Sequence, residues 1–92
     1  EISANILCGE WSLEGGEKRV NYPEIEFCKD RTAVLYSQAD TIYRFTFYTR
    51  NDTLFLVDVY GKRYVNRIKK LTNNTIVFDG IADVDKEQTY KR

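Results

Sequence analysis

Histidine and methionine are absent from this chain of 92 residues, proline occurs once, cysteine twice, and the fourteen Lys and Arg are balanced by fourteen Asp and Glu. Each shortage excludes something. Without His the chain lacks the usual general base, the commonest metal ligand and the side chain that titrates near neutrality. Two cysteines with no third soft ligand do not make a zinc site. Zero net charge disfavours nucleic acid, because a binder that neutralises phosphates wants a basic surplus. The longest apolar run, residues 54–57, falls far short of the ~20 residues that a membrane helix needs. Gly15-Gly16 lacks the Lys and the helix that follow a phosphate loop. The carboxylate pairs Asp83 with Asp85 and Asp52 with Asp58 read as solvated turn residues, so neither an enzyme nor a cofactor is expected. The sequons at Asn51 and Asn73 fall in turns, where Asn is expected anyway.

What is present is aromatic. Seven Tyr, five Phe and one Trp make up 14% of the chain, enough large side chains to exclude disorder. The length suits one domain, residues 1–92, with a thin core. Position 1 is Glu rather than Met, so either a leader has been cut away, which would fit a place outside the cytoplasm, or the chain has been trimmed.

Turn-forming residues recur at 15–16, 29–30, 38–40, 51–52, 61–62, 73–74 and 83–85, close to the ~8 to 12 residue spacing of short strands in an all-β domain. The segments between are rich in Val, Ile, Thr, Tyr and Phe, which fit a pleated surface. Eight strands follow, at 9–13, 24–28, 32–37, 41–48, 53–60, 63–71, 75–81 and 88–92. Single-turn helices are expected at 4–7, capped by Ser3, and from Asp83 or Asp85 to Gln88.

Alternation sets the facing. Tyr43, Phe45 and Phe47 oppose Arg44, Thr46 and Tyr48, and Ile25 and Phe27 oppose Glu24 and Glu26. In the fifth strand both faces are apolar, with Leu54 and Leu56 against Phe55, Val57 and Val59. An open sheet would leave two unpaired edges that no helix here could cover, so the expected fold is a small antiparallel up-and-down meander barrel. Gly80 would supply a bend or bulge within a strand. Setting Trp11 opposite Ile25 brings Cys8 opposite Cys28. A disulfide there would contribute roughly 3 kcal/mol; two thiols are the alternative. The same register opposes Glu10 and Glu26, an unfavourable like-charge pair.

Gly9-Glu10-Trp11 at the start of the first strand resembles the Gly-x-Trp element of lipocalins and the wider calycin group. Ile25-Glu26-Phe27, Lys29-Asp30-Arg31-Thr32, Asp52-Thr53-Leu54-Phe55-Leu56, Ile68-Lys69-Lys70-Leu71-Thr72, Thr75-Ile76-Val77-Phe78 and Thr89-Tyr90-Lys91-Arg92 are similar to the short lipocalin-like domains of secreted and lipid-anchored Bacteroidetes proteins. Arg31 departs from that pattern, which often has Gly in this turn. The resemblance implies an exported, periplasmic or cell-surface domain, with a lipid anchor upstream of the chain. It also implies that Trp11 plugs one end of the barrel beneath a basic side chain from the last strand, Arg92 or, failing that, Lys91.

In a closed barrel the inward set is Leu13, Ile25, Phe27, Tyr43, Phe45, Phe47, Leu54, Leu56, Ile68, Ile76 and Phe78, with Asp58, Tyr64 and Asn66 as polar groups of the same parity. These residues either line a site for a small apolar or amphipathic ligand or fill the interior. A packed barrel would instead work through its outside, where Tyr36, Tyr48, Phe55, Val57 and Tyr60 could meet a protein or glycan. A five-stranded nucleic-acid barrel using Tyr43 to Tyr48 is the least favoured reading.

Overall fold

The computed structural model describes residues 4–14, 22–37 and 41–92. The turns expected at 15–16 and 38–40, and the Ser3 cap, lie outside the described residues. One helical turn, α1 (Ala4–Leu7), precedes β1 (Gly9–Leu13), β2 (Glu24–Phe27), β3 (Thr32–Tyr36), β4 (Ile42–Arg50), β5 (Thr53–Asp58), β6 (Arg63–Leu71), β7 (Thr75–Phe78) and β8 (Gln88–Lys91). The strands pair in sequence order, all antiparallel, and β8 returns to β1, so the barrel is closed. No helix is long and apolar enough to cross a membrane, among the described residues.

Closure leaves each strand one inner and one outer face, and alternation decides which residues go where. Phe45, Phe47, Leu54, Leu56, Ile68, Ile76 and Phe78 are buried inside. Each such side chain taken from water contributes about 1.5 to 3 kcal/mol. Phe27 meets Phe47 edge to face at 5.1 Å, and Phe78 meets Tyr90 at 5.7 Å. These pairs belong to one buried cluster with Trp11. Trp11 itself is fully buried and donates its indole N–H to the Leu7 carbonyl at 2.8 Å, which seats α1 across that end.

Three local expectations need correction. First, β7 stops at Phe78 instead of running to Ile81. Gly80 adopts φ +122°, and a side chain there would begin 3.0 Å from the Val84 carbonyl oxygen. Second, no helix starts at Asp83 or Asp85, because Ile81 and Val84 exchange backbone hydrogen bonds of 2.9 and 2.8 Å and fold the segment into a tight turn. The strand irregularity lies in β6, between Ile68 and Lys70. Third, the register Gly9↔Phe27, Glu10↔Glu26, Trp11↔Ile25 is present, but no disulfide joins Cys8 and Cys28. The cause is local. The Cys8 N–H closes the α1 turn on Asn5 at 3.3 Å, and Gly9 turns the chain with φ +124°, so Cys8 does not follow the strand's pleat.

Candidate functional site

At the end of the barrel away from Trp11 the described residues leave a gap. There β4 continues past its pairing with β5: Phe45 opposes Asp58, but residues 42–44 pair only with β3. The gap is a cavity of about 440 Å³ whose walls come from six parts of the chain. β4 supplies Ile42, Tyr43, Arg44 and Phe45, the end of β5 Asp58, the β5–β6 turn Val59 and Tyr60, β6 Tyr64, the β7–β8 turn Ala82 and Asp83, and the segment before β2 Tyr22.

Aromatic edges hold this mouth in shape. Tyr22 meets Tyr43 at 5.9 Å and Phe45 meets Tyr64 at 6.0 Å, both nearly perpendicular. Such pairs are worth about 0.5 to 1.5 kcal/mol beyond the area they bury. The Lys62 ammonium lies 5.0 Å from the centre of the Tyr64 ring, a cation–π contact at the rim. The Tyr22 hydroxyl donates to Asp83 Oδ1 at 2.5 Å. Burial first, and then this bond, push the Tyr22 phenol well above its ordinary value, so it stays protonated and remains a donor. Asp58 Oδ1 accepts from the backbone N–H groups of Tyr60 and Lys62, each at 2.9 Å, and so fixes the turn that forms the rim.

Of the ten lumen residues expected from the sequence, Tyr43, Phe45, Asp58 and Tyr64 come together at this cavity. Phe47, Leu54, Leu56, Ile68 and Phe78 belong to the packed core. Asn66 is buried and occupied. Its amide donates to the carbonyls of Leu54 and Tyr64 at 3.1 and 3.2 Å, and its Oδ1 accepts the Ala82 N–H at 2.7 Å. With both amide hydrogens donated and Oδ1 bonded to Ala82, Asn66 holds the β7–β8 turn and has no donor left for a guest.

Sequence reasoning misses Tyr22, Ala82 and Asp83, which reach the cavity from turns where alternation carries no information. The expected outer aromatic patch divides. Tyr48 and Phe55 are cross-strand neighbours with stacked rings, Tyr36 pairs with Glu24 and Ile42 on another side, and the exposed Tyr60 belongs to the cavity rim. Arg92 lies over Trp11 at the closed end, while Lys91 turns to Glu14 at 3.6 Å. Among the described residues no group of three or more His, Cys, Asp or Glu could hold a metal ion.

Comparison of the chain with family models, with curated proteins and with solved structures finds no match.

Proposed function

We propose that this barrel is a non-enzymatic binding domain that takes one small amphipathic ligand in its mouth. The observation that carries this reading is the cavity of about 440 Å³ beside a packed lower core. That volume lies within the ~300 to 1,000 Å³ of small-molecule sites, and the wall combines five aromatic rings with a few polar groups. Tyr43, Phe45 and Tyr64 would grip an apolar or aromatic body. Charges of both signs at the rim, Arg44 on one wall and Asp58 and Asp83 on the others, suit a polar or zwitterionic head. The Gly9-Glu10-Trp11 element and the placement of Arg92 support a kinship with the exported, lipid-anchored lipocalin-like domains of Bacteroidetes, and with it a periplasmic or cell-surface location.

The test is titration with an anilinonaphthalene probe, followed by its fluorescence, in the native chain and in two variants. Tyr43→Ala should weaken saturable binding roughly tenfold, a change of about 1.4 kcal/mol. Leu56→Ala should lower the melting temperature with little change in affinity. Absence of saturable binding by the native barrel, or equal affinity in Tyr43→Ala, overturns the reading.

A further inference from the structure

The zero net charge of the chain conceals a separation of charge across the barrel. On β4, β5 and β6 the outward residues form cross-strand rows: Thr46, Val57 and Arg63; Tyr48, Phe55 and Val65; Arg50, Thr53 and Arg67. This face carries three arginines, Arg50, Arg63 and Arg67, and no carboxylate at any outward strand position. The nearest acid is Asp52 in the adjoining turn, 3.8 Å from Arg67, in a pair more than half exposed on both sides and so worth little. On β1, β2 and β3 the outward residues are Glu10 and Ser12, Glu24 and Glu26, and Thr32, Val34 and Tyr36, with no Lys or Arg. In the closed strand order β1 and β2 lie across the barrel from β5 and β6.

The acidic face is also strained. Glu10 and Glu26 are directly opposed, a like-charge pair that destabilises an antiparallel sheet, and neither makes an ion pair among the described residues.

The basic face has an aromatic centre of defined geometry. Tyr48 and Phe55 stack at 4.7 Å with their planes 8° apart, and Arg63 lies 5.8 Å from the Phe55 ring centre. The ring separation matches the ~4.8 Å between neighbouring strands, so the rings stand up from the sheet and present their edges. Ring edges carry the positive part of the aromatic quadrupole, and here they add to the three guanidinium groups. Arg around an aromatic centre is also the composition of protein interfaces. The surface therefore suits a carboxylate-bearing protein face.

The chain carries a face of that kind on its opposite side. We propose that copies of this chain associate head to tail, the Arg50, Arg63 and Arg67 face of one against the Glu10, Glu24 and Glu26 face of the next. The contact is heterologous, so it extends into short chains of barrels unless the rotation closes it. It relieves the Glu10–Glu26 repulsion and covers Tyr48 and Phe55. None of these charged residues lines the mouth cavity, so the contact stands apart from the binding reading.

Sedimentation velocity of the whole chain over a wide concentration range tests this. At low ionic strength the weight-average mass should climb beyond that of one copy, and high salt should return it to the monomer, because exposed charges are screened beyond ~8 Å at physiological salt and more tightly above it. The double variants Arg50→Glu/Arg67→Glu and Glu10→Lys/Glu26→Lys should each be monomeric alone and should associate when mixed in equal amounts. If either charge-reversed variant fails to fold, the neutral pair Arg67→Gln and Glu26→Gln should still lower association. A native chain that stays monomeric at low salt overturns the proposal, as does association that survives both reversals or a mixture that stays monomeric. A monomeric native chain that binds single-stranded DNA or a polyuronate at low salt assigns the basic face to a polyanion instead and overturns it too.

Discussion

The guanidinium of Arg92 lies 4.1 Å from the centre of the Trp11 ring, joining the last residue of the chain to the first strand. The same side chain donates from Nη1 to the Cys8 carbonyl at 2.8 Å, from Nη2 to Ile6 at 2.9 Å and from Nε to Asn73 at 2.7 Å. One planar fork thus caps α1, covers the indole and ties in the β6–β7 turn. Lysine has neither the fork nor the ring-matching plane. Arg92→Ala should cost about 2 kcal/mol and lower the melting temperature on the order of 10 °C. Arg92→Lys should recover less than half of that loss, and probe binding at the far mouth should not change. Differential scanning calorimetry checks the first two expectations; an unchanged melt in Arg92→Ala removes the role assigned to this side chain.

Asn66 ties the packed core to the cavity, because its Oδ1 holds the Ala82 N–H and the next residue, Asp83, receives the Tyr22 hydroxyl. Asn66→Leu strands buried backbone groups of Leu54, Tyr64 and Ala82, at about 1 to 3 kcal/mol for a buried group left without a partner. Both stability and probe affinity should fall, the second because the turn bearing Asp83 is released. Asn66→Asp keeps the acceptor for Ala82 but sets a carboxylate against two carbonyl oxygens, and should be at least as damaging near neutral pH. A chemical-denaturation midpoint read beside a probe titration separates the two effects.

The barrel is legible in the sequence because turn residues recur between short strands and β4 alternates strictly. Tyr43, Phe45 and Phe47 against Arg44, Thr46 and Tyr48 give β4 a single choice of inner face, and a one-residue slip would put arginine in the core. The cavity is legible only in part. Alternation says which way a side chain points and nothing about its height along the barrel, so Tyr43 at the mouth and Phe47 in the packed core share one signature. Tyr22 and Asp83 meet across most of the chain length from turns without periodicity. The charge separation follows from pairing rather than composition, since Arg50 and Arg67 become neighbours only through Thr53 between them.

Two buried phenols give the protein an alkaline limit. Tyr90 is fully buried, its hydroxyl donates to the Tyr22 carbonyl at 2.8 Å, and burial raises its phenol well above 10.0. Burial, joined by the bond to Asp83, does the same to Tyr22. In the unfolded chain both lose their protons near 10.0, so above that pH the folded state holds more protons than the unfolded one and stability falls as pH rises. Below pH 10 this contribution is fully present. Melting temperature should therefore hold up to about pH 10 and then drop, with a shallower drop in Tyr90→Phe measured against its own neutral value. Phenolate absorbance in the folded state should show two tyrosines that resist titration until the barrel opens.

Arg31 holds φ at +71°, in the left-handed region that a side chain disfavours by roughly 1 kcal/mol. Its backbone is pinned there from both sides: its N–H donates to the Cys28 carbonyl at 3.2 Å, and its carbonyl accepts the Phe47 N–H at 2.8 Å. The neighbouring Asp30 carboxylate accepts from the hydroxyl and the N–H of Thr32, which holds its pKa below the ordinary range and keeps the turn closed. The chain cannot relax φ without breaking a bond to β4. Glycine carries no such strain, though it adds freedom to the unfolded chain, so Arg31→Gly should gain a few tenths to about 1 kcal/mol. Valine, branched at Cβ, tolerates positive φ worst, and Arg31→Val should lose at least about 1 kcal/mol. The order of denaturation midpoints, Gly above Arg above Val at equal slope, is the expected result. A valine variant as stable as the glycine one would show that the turn bears no strain at this position.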